Sequence, residues 1–402
     1  MESSSCAIKS GALFPNELMQ RLRGAAALLE GVPGPQRDWH PGSYDKVLDL
    51  VHPSLWPLVF GRSRIVSDKY ATLDKCLDHS GSGVVIPEPK RPHLRMPAGS
   101  RSFAEDNDKR DLSLRYQWLP CDVDLTGGRP QIKSYINNLH SVRYKAVYSL
   151  VEELIEKSLP AWDIVCRSAR KEFRFKRFGT VHEVKWTCDV PEHCEKIHGC
   201  YPSIIVKIAN IHLTPEKPRY DGGSWHVEGQ PNEHICATAL FYYDSDNITE
   251  SRLSFRTHAD RDNLGDRISY SQGDHAGIEA IFAINAKGDK MQDLGRVMTQ
   301  EGRALFFPNI YQHRVEPFEL AYKTRLRRRK IVTLFLVGPV IPIISTGNVP
   351  PQQKHRWKDE LGESEPLSYL PGEIMISQKV DFPHGIDEAS RIREDLNQSE
   401  RY

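Results

Sequence analysis

Charge of one sign is what this chain has least of. Its 54 Lys and Arg face 53 Asp and Glu, a formal net charge of +1, so no overall field draws it to nucleic acid or to an acidic membrane surface. No nucleic-acid or membrane partner is expected, and recognition has to be local. Long apolar runs are missing too. The longest, Ile331 to Ser345 (IVTLFLVGPVIPIIS), is shorter than the roughly 20 residues a membrane helix needs and is broken by Gly338 and Pro339. It reads as a buried strand running into a loop. The opening MESSSCAIKSGALFPNEL has neither a basic stretch nor a continuous apolar one, so no secretory signal is expected. Cysteine is sparse: eight in 402 residues fit free thiols in a reducing compartment better than a disulfide framework. The expectation is a cytoplasmic protein, with the nucleus as the alternative, in which Asn247 and Asn397 stay unmodified despite their N-x-S/T contexts.

What is present is a 39% hydrophobic content, enough for a proper core. Residues 16–30 place Leu18, Leu22, Ala25, Ala26 and Leu29 on one stripe before a VPGP break, which predicts an amphipathic helix. Residues 38–62 mix aromatics with Pro and Gly and predict short packed pieces, and residues 87–109 a polar surface excursion. A second helix is predicted over 142–172, from the spacing of Val147, Leu150, Val151, Leu154 and Ile155, with Pro160 interrupting it. After residue 200 the pattern changes to SIIVKIANIHL, HICATALFYY, RLSFRTH, GIEAIFAI, RALFFPNIY and KIVTLFLVG, separated by turn residues. Successive strands with no helices between them predict an antiparallel barrel or sandwich. The last fifty residues are charged and weakly periodic, which suggests a peripheral arm. The expected division is 1–135 accessory region, 136–199 helical segment, 200–350 β core and 351–402 C-terminal arm.

Within the β region, His226 and Glu228 stand two residues apart in GGSWHVEGQPNEHICATALFYYDSDNI. On an extended strand such residues share a face, so both can reach one ion. His313 follows the strand RALFFP in NIYQHRV. Two imidazoles and a carboxylate suit ferrous iron and leave three coordination positions open. Arg329 opens the strand KIVTLFLV, where a guanidinium can bind a carboxylate bidentately. Arg325, Arg327 and Arg328 of the same RLRRRK run lie in the turn, and the bland alternative is a solvated basic turn or import patch.

Other constellations compete. His258 and Asp260 form a literal His-x-Asp, but an apolar strand backs the His226 pair and only the charged ADRDNLGDR follows His258. Cys188, Cys194, His198 and Cys200 have ligand chemistry for structural zinc without the usual Cys-x2-Cys spacing. Trp225, Tyr242 and Tyr243 can line a pocket or simply fill the core, and His40 and His52 read as packing residues.

The order His-x-Glu, strand, distal histidine, then an arginine opening a strand that includes Thr333 resembles the iron(II)/2-oxoglutarate-dependent oxygenases. More narrowly, DWHPGS, VLDLVHPSL, YQWLPCDV, SYINNLH, LTPEKPRYDGGSWHVEG, YYDSDNITESRLSFR and FPNIYQHRV are similar to an uncharacterised family of large fungal proteins, over about residues 30–352. Its members are usually longer, so this chain is expected to be shortened at the N-terminus and again before residue 200. The resemblance implies an α+β protein with an antiparallel double-stranded β-helix (jelly-roll) core and N-terminal and flanking helices. It implies Fe(II) held by His226, Glu228 and His313, with 2-oxoglutarate as co-substrate chelating the iron and reaching Arg329. Lys207, Asn210 and Thr333 are further candidates for the oxoacid. The implied reaction uses O2 and a small molecule, and forms succinate, carbon dioxide and a hydroxylated, desaturated or cyclised product. Fungal secondary metabolism is one setting. A demethylase-like, protein-modifying oxygenase would also use His-x-Glu, but tends to hold the oxoacid with a lysine inside the barrel. A barrel that has lost activity and serves as a binding module is the third reading.

Overall fold

The computed structural model describes residues 7–34, 37–66, 70–89, 113–173, 202–258, 276, 279, 291–325, 327–339, 341–353 and 385–399. The predicted first helix is α1 (Asn16–Glu30), which buries Leu18, Leu22, Ala25, Ala26 and Leu29 along the stripe the sequence marks. The second is α2 (Lys145–Phe173), which runs straight through Pro160 rather than breaking there. Both Pro160 and Glu156, whose carbonyl loses its donor, are exposed, so water satisfies the freed acceptor. Buried Leu154, Ile155, Trp162 and Val165 pin the helix on either side of the proline. No described helix is long and apolar enough to cross a membrane.

Most of the sheet is antiparallel. Its strands are β1 (Ile8–Ser10), β2 (Asp38–Trp39), β3 (Val47–Val51), β4 (Cys121–Asp124), β5 (Ser203–Leu213), β6 (Ile235–Ser245), β7 (Arg252–His258), β8 (Met291–Met298), β9 (Ala304–Pro308), β10 (Gln312–Val315) and β11 (Arg327–Val337). The large sheet has the order β1-β9-β6-β11-β5-β3-β2, with β4 pairing β5 at one end. A second sheet has the order β8-β7-β10. The apolar runs read from the sequence thus become strands, with β5 and β7 at the expected bounds. The run 277–284, Glu279 apart, lies outside the described residues, as do Cys188, Cys194, His198 and Cys200 and most of 87–109.

Strand alternation sorts the residues of the large sheet. The β5–β11 ladder runs from Ile204 opposite Leu336 to Leu213 opposite Arg327 without a register shift. Lys207 is directly opposite Thr333, and Ile211 opposite Arg329, so these side chains share one face. On the other face Ile204, Val206, Ile208, Ala239, Phe241, Val332 and Leu334 pack against Leu18, Leu22, Val151, Leu154 and Ile155 of the two helices. The face bearing Lys207 and Arg329 turns toward the second sheet, and Leu240, Tyr242, Leu305 and Phe307 meet Leu253 and Phe255 there. It is called the inner face below.

The far end of the inner face is closed by a segment the sequence suggests is peripheral. Ile392 and Leu396 of α3 (Ile386–Ser399) pack with Trp118 against Ile205, Phe335 and Val337. Arg393 of the same helix is buried and ion-paired with Asp49 and Asp38, at 2.5 Å for Asp38. The charges that suggest a loose arm are in part a buried network, which is why composition misleads here.

Candidate metal centre

His226 and His313 are joined by an isolated antiparallel bridge: His313 N–H donates to the His226 carbonyl at 2.9 Å and His226 N–H to that of His313 at 3.2 Å. This pairing lays the two imidazoles side by side, with ring centroids 4.5 Å apart. Phe307 and Phe255 pack on His313 at 5.0 and 6.3 Å. Glu228 follows in a bend rather than on a strand, so alternation along a strand is not what aims it. Two other devices do. Asn309 clamps the Glu228 peptide from both sides, accepting from its N–H at 3.0 Å and donating to its carbonyl at 2.8 Å. Gly229 then turns the chain at φ +68°, where a Cβ would come within 2.9 Å of Glu233 and Ile235, so no other residue fits easily.

The result is that Glu228 Oε1 lies 3.3 Å from His313 Nε2 and 3.7 Å from His226 Nε2. One ligand atom from each residue falls within 4.8 Å of the others. The outer nitrogens fix the tautomers. His226 Nδ1 is 2.9 Å from the Ser224 carbonyl and His313 Nδ1 3.4 Å from that of Tyr311. A carbonyl only accepts, so Nδ1 carries the hydrogen and each Nε2 lone pair turns to the shared centre, the arrangement metal-binding histidines require. Two imidazoles, one carboxylate and their backbone supports fit a divalent first-row cation, ferrous iron among them. The side chains of Glu228 and His313 are 8% and 4% exposed and that of His226 33%, which leaves His226 as the open side.

Charge around the centre is consistent with this. Burial pushes the Glu228 carboxyl up, but Lys207 and hydrogen bonds from both histidines bring it well below the usual carboxylate range. Burial pulls His226 down, but its hydrogen bond to Glu228 and that residue's charge lift it above an ordinary histidine. Burial, then His226, hold His313 below one.

Arg329 is buried at 1% exposure. Its Nη1 donates to Ser251 Oγ at 2.6 Å, and its guanidinium stacks on Tyr242 at 4.5 Å and Phe318 at 5.3 Å. Its Nε and Nη2 have no hydrogen-bond partner among the described residues. A buried guanidinium with orphaned donors and no carboxylate is what the distal carboxylate of an oxoacid would complete. Thr333 lies on the same face, beside Lys207. Asn210 does not: it is on the opposite face, donating to Glu30 of α1 at 2.9 Å, next to Lys330. The expectation that Asn210 touches the oxoacid therefore does not fit its placement. Arg328 also turns to Glu30. Tyr242 packs on Arg329, whereas Tyr243 belongs to the helix-side core. Trp225, next to His226, is held between Arg256 and Arg314 at 4.5 and 4.6 Å. His258 ends β7 and Asp260 lies outside the described residues, so the competing pair is not assembled among those described. Asn309 and Glu233 were not singled out by sequence. Glu233, fully buried, accepts from the Trp118 N–H at 2.8 Å and from the Gln230 N–H, and its place before the strand signal of β6 was the one available hint.

The model of a family described as "Protein of unknown function (DUF4246)" matches residues 1–198 and 201–360. A comparison with curated proteins finds no match. Among solved structures, the Fe(II)/(alpha)ketoglutarate-dependent dioxygenase TqaL aligns at 10% identity over 81% of this chain and 90% of its own, with a TM-score of 0.30. The non-heme alpha ketoglutarate dependent carbocyclase SnoK from nogalamycin biosynthesis aligns at 13% identity over 34% of this chain and 50% of its own, TM-score 0.20. IDO from Bacillus thuringiensis aligns at 12% identity over 34% of this chain and 46% of its own, TM-score 0.21. This chain thus spans about half of the latter two.

Proposed function

Because the chain belongs to the DUF4246 family, whose members are described only as proteins of unknown function, its activity has to be read from its own site, and we propose that it is an iron(II)- and 2-oxoglutarate-dependent oxygenase. The observation that carries this reading is the convergence of His226 Nε2, His313 Nε2 and the Glu228 carboxylate, the histidines oriented by backbone carbonyls and Glu228 by the Asn309 side chain. The orphaned guanidinium of Arg329 supports a carboxylate-bearing co-substrate.

The strand orders β9-β6-β11-β5 and β8-β7-β10, with His226 bridging to β10, support a double-stranded β-helix as the scaffold. In this reading residues 200–350 form the oxygenase core, and 1–135, 136–199 and 351–402 brace it. His226, Glu228 and His313 hold the metal. Arg329 takes the far carboxylate of the oxoacid, and Thr333 lies further along the same inner face, opposite Lys207. Ferrous iron with 2-oxoglutarate supplies oxidation of an unactivated C–H bond coupled to decarboxylation of the oxoacid to succinate. The protein's own part is to orient that bond and keep water out, for which Phe255, Phe307 and Tyr242 wall the inner side.

The test is anaerobic addition of ferrous iron and 2-oxoglutarate, which should give the visible metal-to-ligand charge-transfer band, followed by iron-dependent succinate release in air. Absence of both from the purified protein rules the reading out. The Arg329→Met protein should keep its iron but bind the oxoacid more weakly by roughly 1.5–3 kcal/mol, read from the same band.

A further inference from the structure

Two cations on the inner face have no ion-pair partner among the described residues. Arg329 is one. The other is Lys207, half-buried, opposite Thr333 and four strand positions from the residue facing Arg329. Neither makes an ion pair among the described residues, whereas Lys330, on the opposite face of the same ladder, is paired with Glu30 at 2.7 Å. Four strand positions, about 13 Å, separate Lys207 from the residue facing Arg329, so the far carboxylate of 2-oxoglutarate at Arg329 does not also reach Lys207.

The surroundings of Lys207 are those of an oxyanion receptor. In the antiparallel pairing of β5 with β3, Ile208 is opposite Val51, which sets His52 next to Lys207. His52 is buried, its Nδ1 accepts from the Ser54 N–H at 3.2 Å, and burial holds the ring neutral. The hydrogen therefore sits on Nε2, which has no hydrogen-bond partner among the described residues. The ring of His52 meets that of Trp118 edge to face at 6.3 Å, and Nε1 of Trp118, a residue that is 1% exposed, is a second donor with no partner among them. Trp118 also lies 3.5 Å from where a Cβ on Gly229 would stand, so this corner adjoins the metal loop. The nearby acid, Asp49, is held through Oδ2 by Arg393 and by His40, at 2.9 Å for His40, while its Oδ1 has no hydrogen-bond partner among the described residues.

Charge balance gives the class of ligand. In a loaded site the metal, Arg329 and Lys207 outweigh Glu228 and the dianionic oxoacid by a single positive charge, and a half-buried site does not hold an uncompensated charge cheaply. We propose that Lys207, with the ring N–H groups of His52 and Trp118, is the receptor for a carboxylate on the substrate, so that this site oxidises monoanionic carboxylic acids. The proposal rests on the oxygenase reading and adds the substrate class to it. The oxoacid and the substrate carboxylate are then held by different cations, four strand positions apart on one face.

Acetate is the probe, with chloride at equal ionic strength as its control. In the wild-type protein acetate should raise the melting temperature saturably beyond chloride. Lys207→Met should raise the half-saturating acetate concentration at least tenfold, and Lys207→Arg should restore most of the response. The 2-oxoglutarate half-saturation, read from the charge-transfer band, should stay within twofold in Lys207→Met and rise in Arg329→Met. No saturable acetate effect, or one that survives in Lys207→Met, overturns the receptor. Loss of oxoacid binding in Lys207→Met overturns it too, since Lys207 would then be the oxoacid's anchor. A wild-type protein without the band sinks the oxygenase reading and the substrate class with it, while the melting experiment still judges the anion site.

Discussion

Glu228 is placed by the Asn309 side chain and the turn at Gly229 rather than by a strand of its own, and this makes Asn309 and Gly229 as consequential as the proposed ligands. Asn309→Ala removes both hydrogen bonds to the Glu228 peptide and leaves the three ligating side chains in the sequence. Outer supports of this kind typically tune metal affinity by about 10–100-fold, and that loss is expected in an iron titration, with the melting temperature little changed. Gly229→Ala meets both a positive φ and a crowded Cβ; it should cost roughly 1–3 kcal/mol of stability, measurable by urea unfolding. The three proposed ligands could be picked out of the sequence because imidazole and carboxylate carry their chemistry in their identity, and His226, Glu228 and His313 are brought together. Asn309 could not be, because its partner is 81 residues away and an asparagine after a proline reads as an ordinary turn.

Among the elements, β5 is the one on which both faces of the protein meet. Its outer side carries Asn210 and its inner side Lys207, and its end carries His212, which packs on Trp39 at 5.6 Å. Burial, then the charge of Arg328, hold His212 down to about 4. A depressed folded value means that the unfolded chain takes up the proton first. The contribution of His212 is therefore complete above its ordinary value of 6.5 and is lost as pH falls toward about 4. Wild-type stability should drop across that window more steeply than that of His212→Asn, compared by chemical unfolding at each pH. The bounds of β5 and β7 could be read from apolar runs between turn residues, and α1 from its stripe. The continuity of α2 through Pro160 could not, since it depends on which side of the helix faces water. The role of α3 could not either: Arg393 looks like surface charge until Asp38 and Asp49, more than 340 residues earlier, are folded against it. Removing one partner of a buried pair commonly costs about 3–5 kcal/mol, and Arg393→Ala should destabilise the protein by that order.

For the whole molecule, the near-neutral charge and the apolar content set the frame, and the chemistry is confined to the space between two antiparallel sheets. Helices α1 and α2 cover the outer side of the large sheet, and α3 with Trp118 closes one end of the inner side. A site built in this way exposes one edge, at His226, and keeps its cations, Arg329 and Lys207, on the same side of the sheet as the metal ligands. The most direct measurement is an anaerobic ferrous-iron titration of the purified chain, followed by metal analysis after gel filtration. Stoichiometric iron in the wild type, lost in His313→Ala while the circular dichroism spectrum is kept, is the expected result. Equal iron in both proteins, or none in either, would contradict the assignment of His226, Glu228 and His313 as a metal centre.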